Sequence, residues 1–346
     1  MRALAAAVAI ALGVCLLAPA ARADEVDHKF VYTNTAMGTI VTVFLWGDDE
    51  AKAAKAADAV FGEMRRIDAM MTTWTPDSEV SKVNQAAGVK PVVVGAETFK
   101  VIARAYDVSK RSGGVFDITV GAFKGLWKFD EDMDGTLPDP ADVKARLAKI
   151  GWKHLRLNPK KRTVFLDKAG MGITLGGIAK GYAVDKCVEL LREAGFVDFM
   201  VQAGGDMYVA GKKGAAPWIV GIRDPRGPDG SMFALAPVED HSFSTSGDYE
   251  RGFVKNGIRY HHILDPRTGQ PAHASRSVTV RAKDAFTADA WSKVMFILGP
   301  KDAAALIQRE KLTDFEVVWV DDKNEVSMTK GLQGVLRVVK QPTPGT

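Results

Sequence analysis

Between residues 198 and 282 the chain is a succession of short strand-like runs, at 198–203, 206–211, 217–223, 233–238, 258–263 and 276–282, separated by stretches bearing Gly, Pro, Asp and Asn. Several of these runs are close enough to join as hairpins, so this half of the chain must build antiparallel sheet. The rest interleaves helices with strands. Residues 31–46, rich in Val, Thr and aromatics, predict a strand or hairpin, and residues 50–71 place Val60, Phe61, Met64, Ile67 and Met71 at helical spacing. Further helices are predicted at 96–111, closed by Gly113-Gly114, and at 139–149, closed by Gly151. Strands are expected at about 153–166 and 171–175. Gly176-Gly177 then opens a helix with Ile178, Ala183, Val184, Cys187, Leu190 and Leu191 on its apolar face. Helices at 286–297 and 301–310 precede a hairpin turning on Asp321 to Asn324. This order predicts an α+β fold, with mixed, largely antiparallel sheets and packed helices. No linker, second apolar span or short repeat breaks residues 24–340, expected to form one domain or two interleaved lobes before a polar tail at 341–346.

Composition narrows the function. Of 346 residues 47% are hydrophobic and 25% charged, which supports a sizeable core and excludes disorder, collagen and a coiled coil. A net charge of +4, from 46 basic against 42 acidic residues, implies no polyanion-binding surface, and nucleic acid is not expected as a partner. Arg2, the apolar or small run Ala3 to Ala18, and Ala21-Arg22-Ala23 have the form of a signal peptide, with cleavage expected after Ala23. The run is shorter than the roughly 20 residues that span a bilayer, so no membrane span is expected in the mature chain. Val14 stands where lipoprotein processing wants a small residue, so anchoring through Cys15 is the weaker reading. After cleavage Cys187 alone remains, which forbids an internal disulfide, fits a periplasmic protein and marks Cys187 as a small core residue.

Five segments carry groups fit for chemistry. A strand running into Gly176-Gly177 and then a helix brings bare backbone and a helix N-terminus to one point, where a phosphate can bind and Lys180 can add charge; an ordinary strand-to-helix turn reads the same way. Gly204-Gly205-Asp206 is a hairpin turn or a backbone surface for a flat ligand. The hydroxyls of Ser244-Thr245-Ser246 can face a pyrophosphate. His261 and His262 alternate on a strand end braced by the turn Asp265-Pro266-Arg267-Thr268-Gly269, so that one can face a site and the other solvent; a general base and a structural histidine are equally open there. Asp289, Ser292 and Lys293, at i, i+3 and i+4 of a helix, either help hold a hard cation or form a surface ion pair.

In this order the segments resemble the ApbE family, the FAD:protein FMN transferases of bacterial envelopes. The resemblance runs from Met37-Gly38-Thr39 through Thr73-Trp74, Asp77-Ser78, Ser81-Lys82-Val83-Asn84, Gly114 to Gly121, Gly176 to Asp185, Gly204-Gly205-Asp206, Ser244 to Gly247 and His262 to Gly269 to Ala288-Asp289-Ala290. It covers nearly all of the mature chain. It implies a flavin-transferase fold in which FAD lies in a cleft with its pyrophosphate near Mg²⁺. A hydroxyl of an exported or membrane redox protein, carrying a Ser/Asp-Gly-Ala-Thr/Ser motif, then attacks the FMN phosphorus and AMP leaves. By resemblance His262 is the base, Met37, Trp74, Val115, Phe116, Asp117 and Ile263 hold FAD, and Asp289 with the carbonyl of Gly177 binds the metal.

Two positions depart from the family pattern. Thr174 stands where the family often has an Asp that contacts FAD, and Lys293 where it usually has a metal-binding Thr. A protonated lysine cannot ligate Mg²⁺. The expectation is that its ammonium takes over part of the metal's charge role or lowers metal affinity. An FAD-binding protein without transfer, and an FAD pyrophosphatase that uses water, are the alternative readings.

Overall fold

The computed structural model describes residues 29–129 and 132–345. The predicted signal peptide and Cys15 lie outside the described residues. The chain opens on β1 (Lys29–Ala36) and β2 (Thr39–Trp46), joined by Met37 and Gly38, both at positive φ (53° and 68°), which lets a two-residue turn follow the twist of the strands. Helix α1 (Glu50–Met71) begins where the Asp49 carboxylate accepts the Lys52 N–H at 2.9 Å, and it buries Val60, Met64, Ile67 and Met71 along one stripe. Then come α2 (Glu79–Gln85), β3 (Val92–Val93) and α3 (Ala96–Arg111), the last stopped by Gly113 and Gly114 at positive φ. A 3₁₀ segment over Ile118–Phe123 leads to α4 (Pro140–Leu147), β4 (Leu155–Asn158) and β5 (Thr163–Leu166).

The second half holds α5 (Ala179–Glu193), β6 (Phe199–Ala203), β7 (Asp206–Ala210), β8 (Trp218–Arg223), β9 (Met232–Val238), β10 (His241–Gly247), β11 (Gly252–Lys255) and β12 (Ile258–His261). It ends with β13 (Ser275–Ala282), α6 (Ala285–Glu310), β14 (Phe315–Asp321), β15 (Val326–Met328) and β16 (Arg337–Val338). The two helices predicted at 286–297 and 301–310 are the two arms of α6, bent at Gly299 (φ 69°) ahead of Pro300.

An eight-stranded sheet, ordered β1-β2-β6-β7-β10-β13-β14-β15, is the centre of the molecule, and every pairing in it is antiparallel. Helices α1, α5 and α6 cover one face, where Met64, Leu191, Phe199, Val280 and Trp291 share the larger core. The small sheet β16-β9-β8 covers the other, burying Phe233 and Val220 against Phe243 and Val209. Alternation along β10 therefore points Phe243 into the second core and leaves Ser244 and Ser246 under α6.

One predicted strand is corrected, and two other segments gain a defined place. Residues 171–175 form no strand: the Ile173 N–H goes to the Asn84 side chain at 2.7 Å and the Thr174 N–H to the Ile118 carbonyl at 2.9 Å, so loop groups take the place of a ladder. The hydroxyl-rich stretch 244–247 is itself part of a strand, β10, and its hydroxyls find partners inside the protein. The polar tail is docked, since Thr343 bonds through N–H and hydroxyl to the buried carboxylate of Asp224. Cys187 is fully buried in α5, the small core residue expected.

Candidate functional site

Helices α5 and α6 cross where Gly181 meets the backbone of Ala285; a Cβ on Gly181 would lie 2.3 Å from the Ala285 carbonyl oxygen, so no larger residue permits this approach. The close crossing puts Asp289, which is fully buried, against the first turn of α5. No side chain of the preceding loop caps α5; instead Asp289 Oδ2 accepts the Gly181 N–H at 2.9 Å, and Oδ1 carries Lys293 Nζ. Alongside, Lys180 Nζ sits 2.6 Å from Asp206 Oδ2, while Asp206 Oδ1 accepts the Ser244 hydroxyl at 2.5 Å. The cluster thus holds two lysines and two carboxylates.

Electrostatics follow from this pairing. Burial disfavours charge on Lys180, but Asp206 and Asp289 outweigh it and hold the lysine above its ordinary pKa. Burial likewise works against charge on Asp206, and Lys180 and Lys293 overcome it and hold that carboxyl low. Asp289 is pushed up by burial and by Asp206, against the pull of Lys293 and Lys180, so its charge depends on those ammoniums.

The predicted glycine loop lies at the edge of this cluster. Gly176 is exposed, and a Cβ on Gly177 would lie 3.4 Å from the ring of Phe116 and 4.0 Å from Lys293 Cε. Thr174 is half-buried and its hydroxyl accepts the Gly176 N–H at 3.3 Å, which shapes the loop. Gly204-Gly205 is the two-residue turn between β6 and β7, packed on Thr39 and Thr245, and its work is to start β7 at Asp206.

The two histidines part as alternation requires, with one correction. His261 does not face solvent: it is 1% exposed, with Nε2 2.7 Å from the Ala272 carbonyl and Nδ1 accepting from the Ile263 N–H at 3.3 Å. The neutral ring satisfies both contacts. Burial lowers its pKa to about 4. His262 is the accessible one, with Nδ1 facing the Arg251 carbonyl at 3.4 Å, which places the ring proton there and the lone pair on Nε2. The protein packed behind the ring, with the positive groups of Arg251 and Lys180 and the neighbouring His261, lowers its pKa below the ordinary value even though one edge is open to solvent, so the ring is neutral at physiological pH. The turn behind it is formed as predicted: Asp265 accepts from Thr268 and Gly269, and Gly269 has φ 73°.

His261 sets a pH limit on stability. Its folded pKa lies below the unfolded 6.5, so the unfolded chain binds the extra proton between these values; the stabilisation is complete above about pH 6.5 and is lost as pH falls toward 4. This one group is expected to remove roughly 3 kcal/mol across that window. Urea unfolding at both ends of it, for the wild type and His261→Gln, measures the difference. Equal losses in the two proteins would exclude His261 as the cause.

Other predicted residues take varied places. Met37 is half-buried in the first turn, beside Gly38, whose carbonyl faces Arg251 Nη2 at 3.4 Å. Trp74 is 68% exposed and flanked by Lys124, whose ammonium lies 5.2 Å from the ring centroid and bonds the Thr73 carbonyl. Val115, Phe116 and Ile263 are buried in the larger core. Both oxygens of Asp117 are occupied inside the protein, by Thr119 and by the Trp152 N–H at 2.6 Å, so its carboxylate braces the 3₁₀ segment and does not reach outward. Ser246 is buried and its hydroxyl meets that of Ser292 at 2.7 Å, so the expectation that it faces a pyrophosphate is corrected. Arg251 and Lys124 escaped the sequence reading. The run Tyr249-Glu250-Arg251, directly after the hydroxyl segment, was the available signal for the first.

The Mg²⁺ that the resemblance implies does not fit these residues. Asp289 has both oxygens engaged, and the Ser292 hydroxyl donates to the Asp289 carbonyl at 2.8 Å. Among the described residues no group of three or more His, Cys, Asp or Glu is placed to hold a metal. The ion pair expected at the surface is instead buried, with Lys293 17% exposed and Asp289 not at all.

An exposed glycine loop at a helix N-terminus, a wall of lysines and arginine, and one accessible neutral imidazole define a group-transfer site for a phosphate-bearing ligand. The chain belongs to the ApbE family, whose sequence model matches residues 37–319. It is 31% identical over 323 residues to an FAD:protein FMN transferase of Klebsiella pneumoniae (strain 342), covering 89% of this chain and 91% of the relative. It is 33% identical over 328 residues to that of Treponema pallidum (strain Nichols), covering 90% of each. The crystal structure of the ApbE protein of Thermotoga maritima matches with a TM-score of 0.81 at 32% identity, over 89% of this chain and 99% of that one. The flavin transferase ApbE from Vibrio cholerae matches at 0.78 and 25%, with the same coverage.

Proposed function

We propose that this chain is an FAD:protein FMN transferase. Its acceptor is a protein hydroxyl in a Ser/Asp-Gly-Ala-Thr/Ser segment of an exported or membrane redox protein. The observation that carries the reading is His262, an accessible imidazole kept neutral beside Arg251 and Lys180, the latter in the first turn of the helix that follows the glycine loop. In the reaction the acceptor oxygen bonds to the FMN phosphorus, the bond from that phosphorus to the bridging oxygen breaks, and AMP leaves with that oxygen. The hydroxyl proton passes to His262 Nε2. Lys180 and Arg251 offset the charge of the pyrophosphate, and Trp74 with Met37 offers a flat apolar surface to the flavin ring. The charged, apolar and small-residue pattern of residues 1–23 supports export to the periplasm, and residues 24–340 act as one catalytic unit.

The test incubates the mature chain with FAD and an acceptor domain bearing Ser-Gly-Ala-Thr. The expected result is an acceptor heavier by one FMN and an equal amount of AMP. AMP with free FMN would make the chain a pyrophosphatase, and intact FAD would leave a binding protein.

A further inference from the structure

We propose that Lys293 is a built-in cation of this enzyme: its ammonium lies against the FAD pyrophosphate and supplies charge that a divalent ion would otherwise supply, so that FAD is bound and cleaved without a metal. The inference rests on the FMN-transfer reading and adds to it the cation requirement of the site. Three observations carry it. First, Lys293 projects from α6 toward the glycine loop, its Cε 4.0 Å from where a Cβ of Gly177 would stand, and the loop is the exposed backbone at the N-terminus of α5. Second, its counter-ion Asp289 is held from the other side by the Gly181 N–H, so the carboxylate fixes the ammonium in place and each of its oxygens already has a partner that a metal would have to crowd. Third, the neighbouring pair Lys180–Asp206 is already matched, and the hydroxyls of Ser244, Ser246 and Ser292 bond to Asp206, to each other or to the Asp289 carbonyl.

An incoming metal would have to displace one ammonium and approach a second. A pyrophosphate, by contrast, meets the ammoniums of Lys293 and Lys180 with the Arg251 guanidinium beside them. Lys293 remains protonated throughout the transfer. No bond to it forms or breaks.

The wild-type chain is titrated with FAD in excess EDTA and in millimolar Mg²⁺, with binding followed by flavin fluorescence and cleavage by AMP release in the presence of the Ser-Gly-Ala-Thr acceptor domain, and with Mn²⁺ alone by electron paramagnetic resonance. Equal FAD affinity and equal AMP release in EDTA and Mg²⁺, with Mn²⁺ left free, are expected. Lys293→Met is expected to weaken FAD binding in EDTA by roughly 10–100-fold, the effect of one charged hydrogen bond. Lys293→Thr, which removes the ammonium and supplies a hydroxyl, is expected to bind Mn²⁺ and to need Mg²⁺ for AMP release. Stoichiometric Mn²⁺ on the wild type, or FAD binding or AMP release abolished by EDTA and restored by Mg²⁺, overturns the proposal. Because these arms use the wild type, they stand even if Lys293→Met fails to fold. FAD bound equally in EDTA and in Mg²⁺ but cleaved in neither would support Lys293 as the cation at the pyrophosphate and sink the transferase reading alone.

Discussion

Replacing His262 by Asn is expected to slow FMN transfer by about 10²–10⁴-fold, the usual contribution of a positioned base, while FAD still binds. Asn cannot take up a proton, so the loss should fall on kcat and leave KM for FAD nearly unchanged. The pH profile carries further information. The free imidazole has its pKa lowered below the ordinary value by the protein packed behind it and by His261, Arg251 and Lys180, so it is unprotonated over the physiological range. For the wild type, kcat/KM for FAD is therefore expected to stay level as pH falls from 8 through 6.5, where an ordinary histidine would begin to lose activity. A bound pyrophosphate reverses the sign of the local field, so the acid limb of kcat should lie higher than that of kcat/KM. An acid limb of kcat/KM near pH 6.5 would contradict the environment described for His262, and an undiminished kcat in His262→Asn would remove it from the chemistry.

The second large effect is on stability. Lys180→Met leaves Asp206, 1% exposed, without its main partner, and removing one member of a buried pair costs about 3–5 kcal/mol. Lys293 also favours charge on Asp206, and the Ser244 hydroxyl still donates to it, which places the expectation at the lower end of that range. A fall in Tm of roughly 5–10 °C should result. Adding Asp206→Asn to Lys180→Met should recover a large part of the loss, since no buried charge is then unpaired. If the double variant is no more stable than Lys180→Met, the cost lies in lost packing of the lysine stem and the pairing argument fails.

Much of this architecture was legible because it is locally encoded. Residues 50–71 and 96–111 are helices over their predicted spans, the first opened by the Asp49 cap and the second closed by Gly113-Gly114. Asp265 and Gly269 build the turn behind His262 from their own backbone and side chain. The apolar periodicity of α5 marked Cys187 as core. Where the sequence misled, a distant group had replaced the local signal. The Asn84 amide pairs with Ile173 as a strand neighbour would, so an apolar run remains a loop. Asp206 and Ser292 satisfy Ser244 and Ser246 of β10, so a run with weak strand propensity crosses the centre of the sheet.

The order of motifs by itself determined the family, and with it the fold and the class of chemistry, because caps, turns and apolar periods are written in adjacent residues. Tertiary structure alone decided which groups can act. It made His262 the accessible imidazole and His261 the buried one, joined Lys180 to Asp206 across 26 positions, and closed both oxygens of Asp289 with Lys293 and an amide of another helix. A side chain's charge and reach depend on hydration and on neighbours a few ångströms away, and those neighbours are set by packing between segments far apart in the chain.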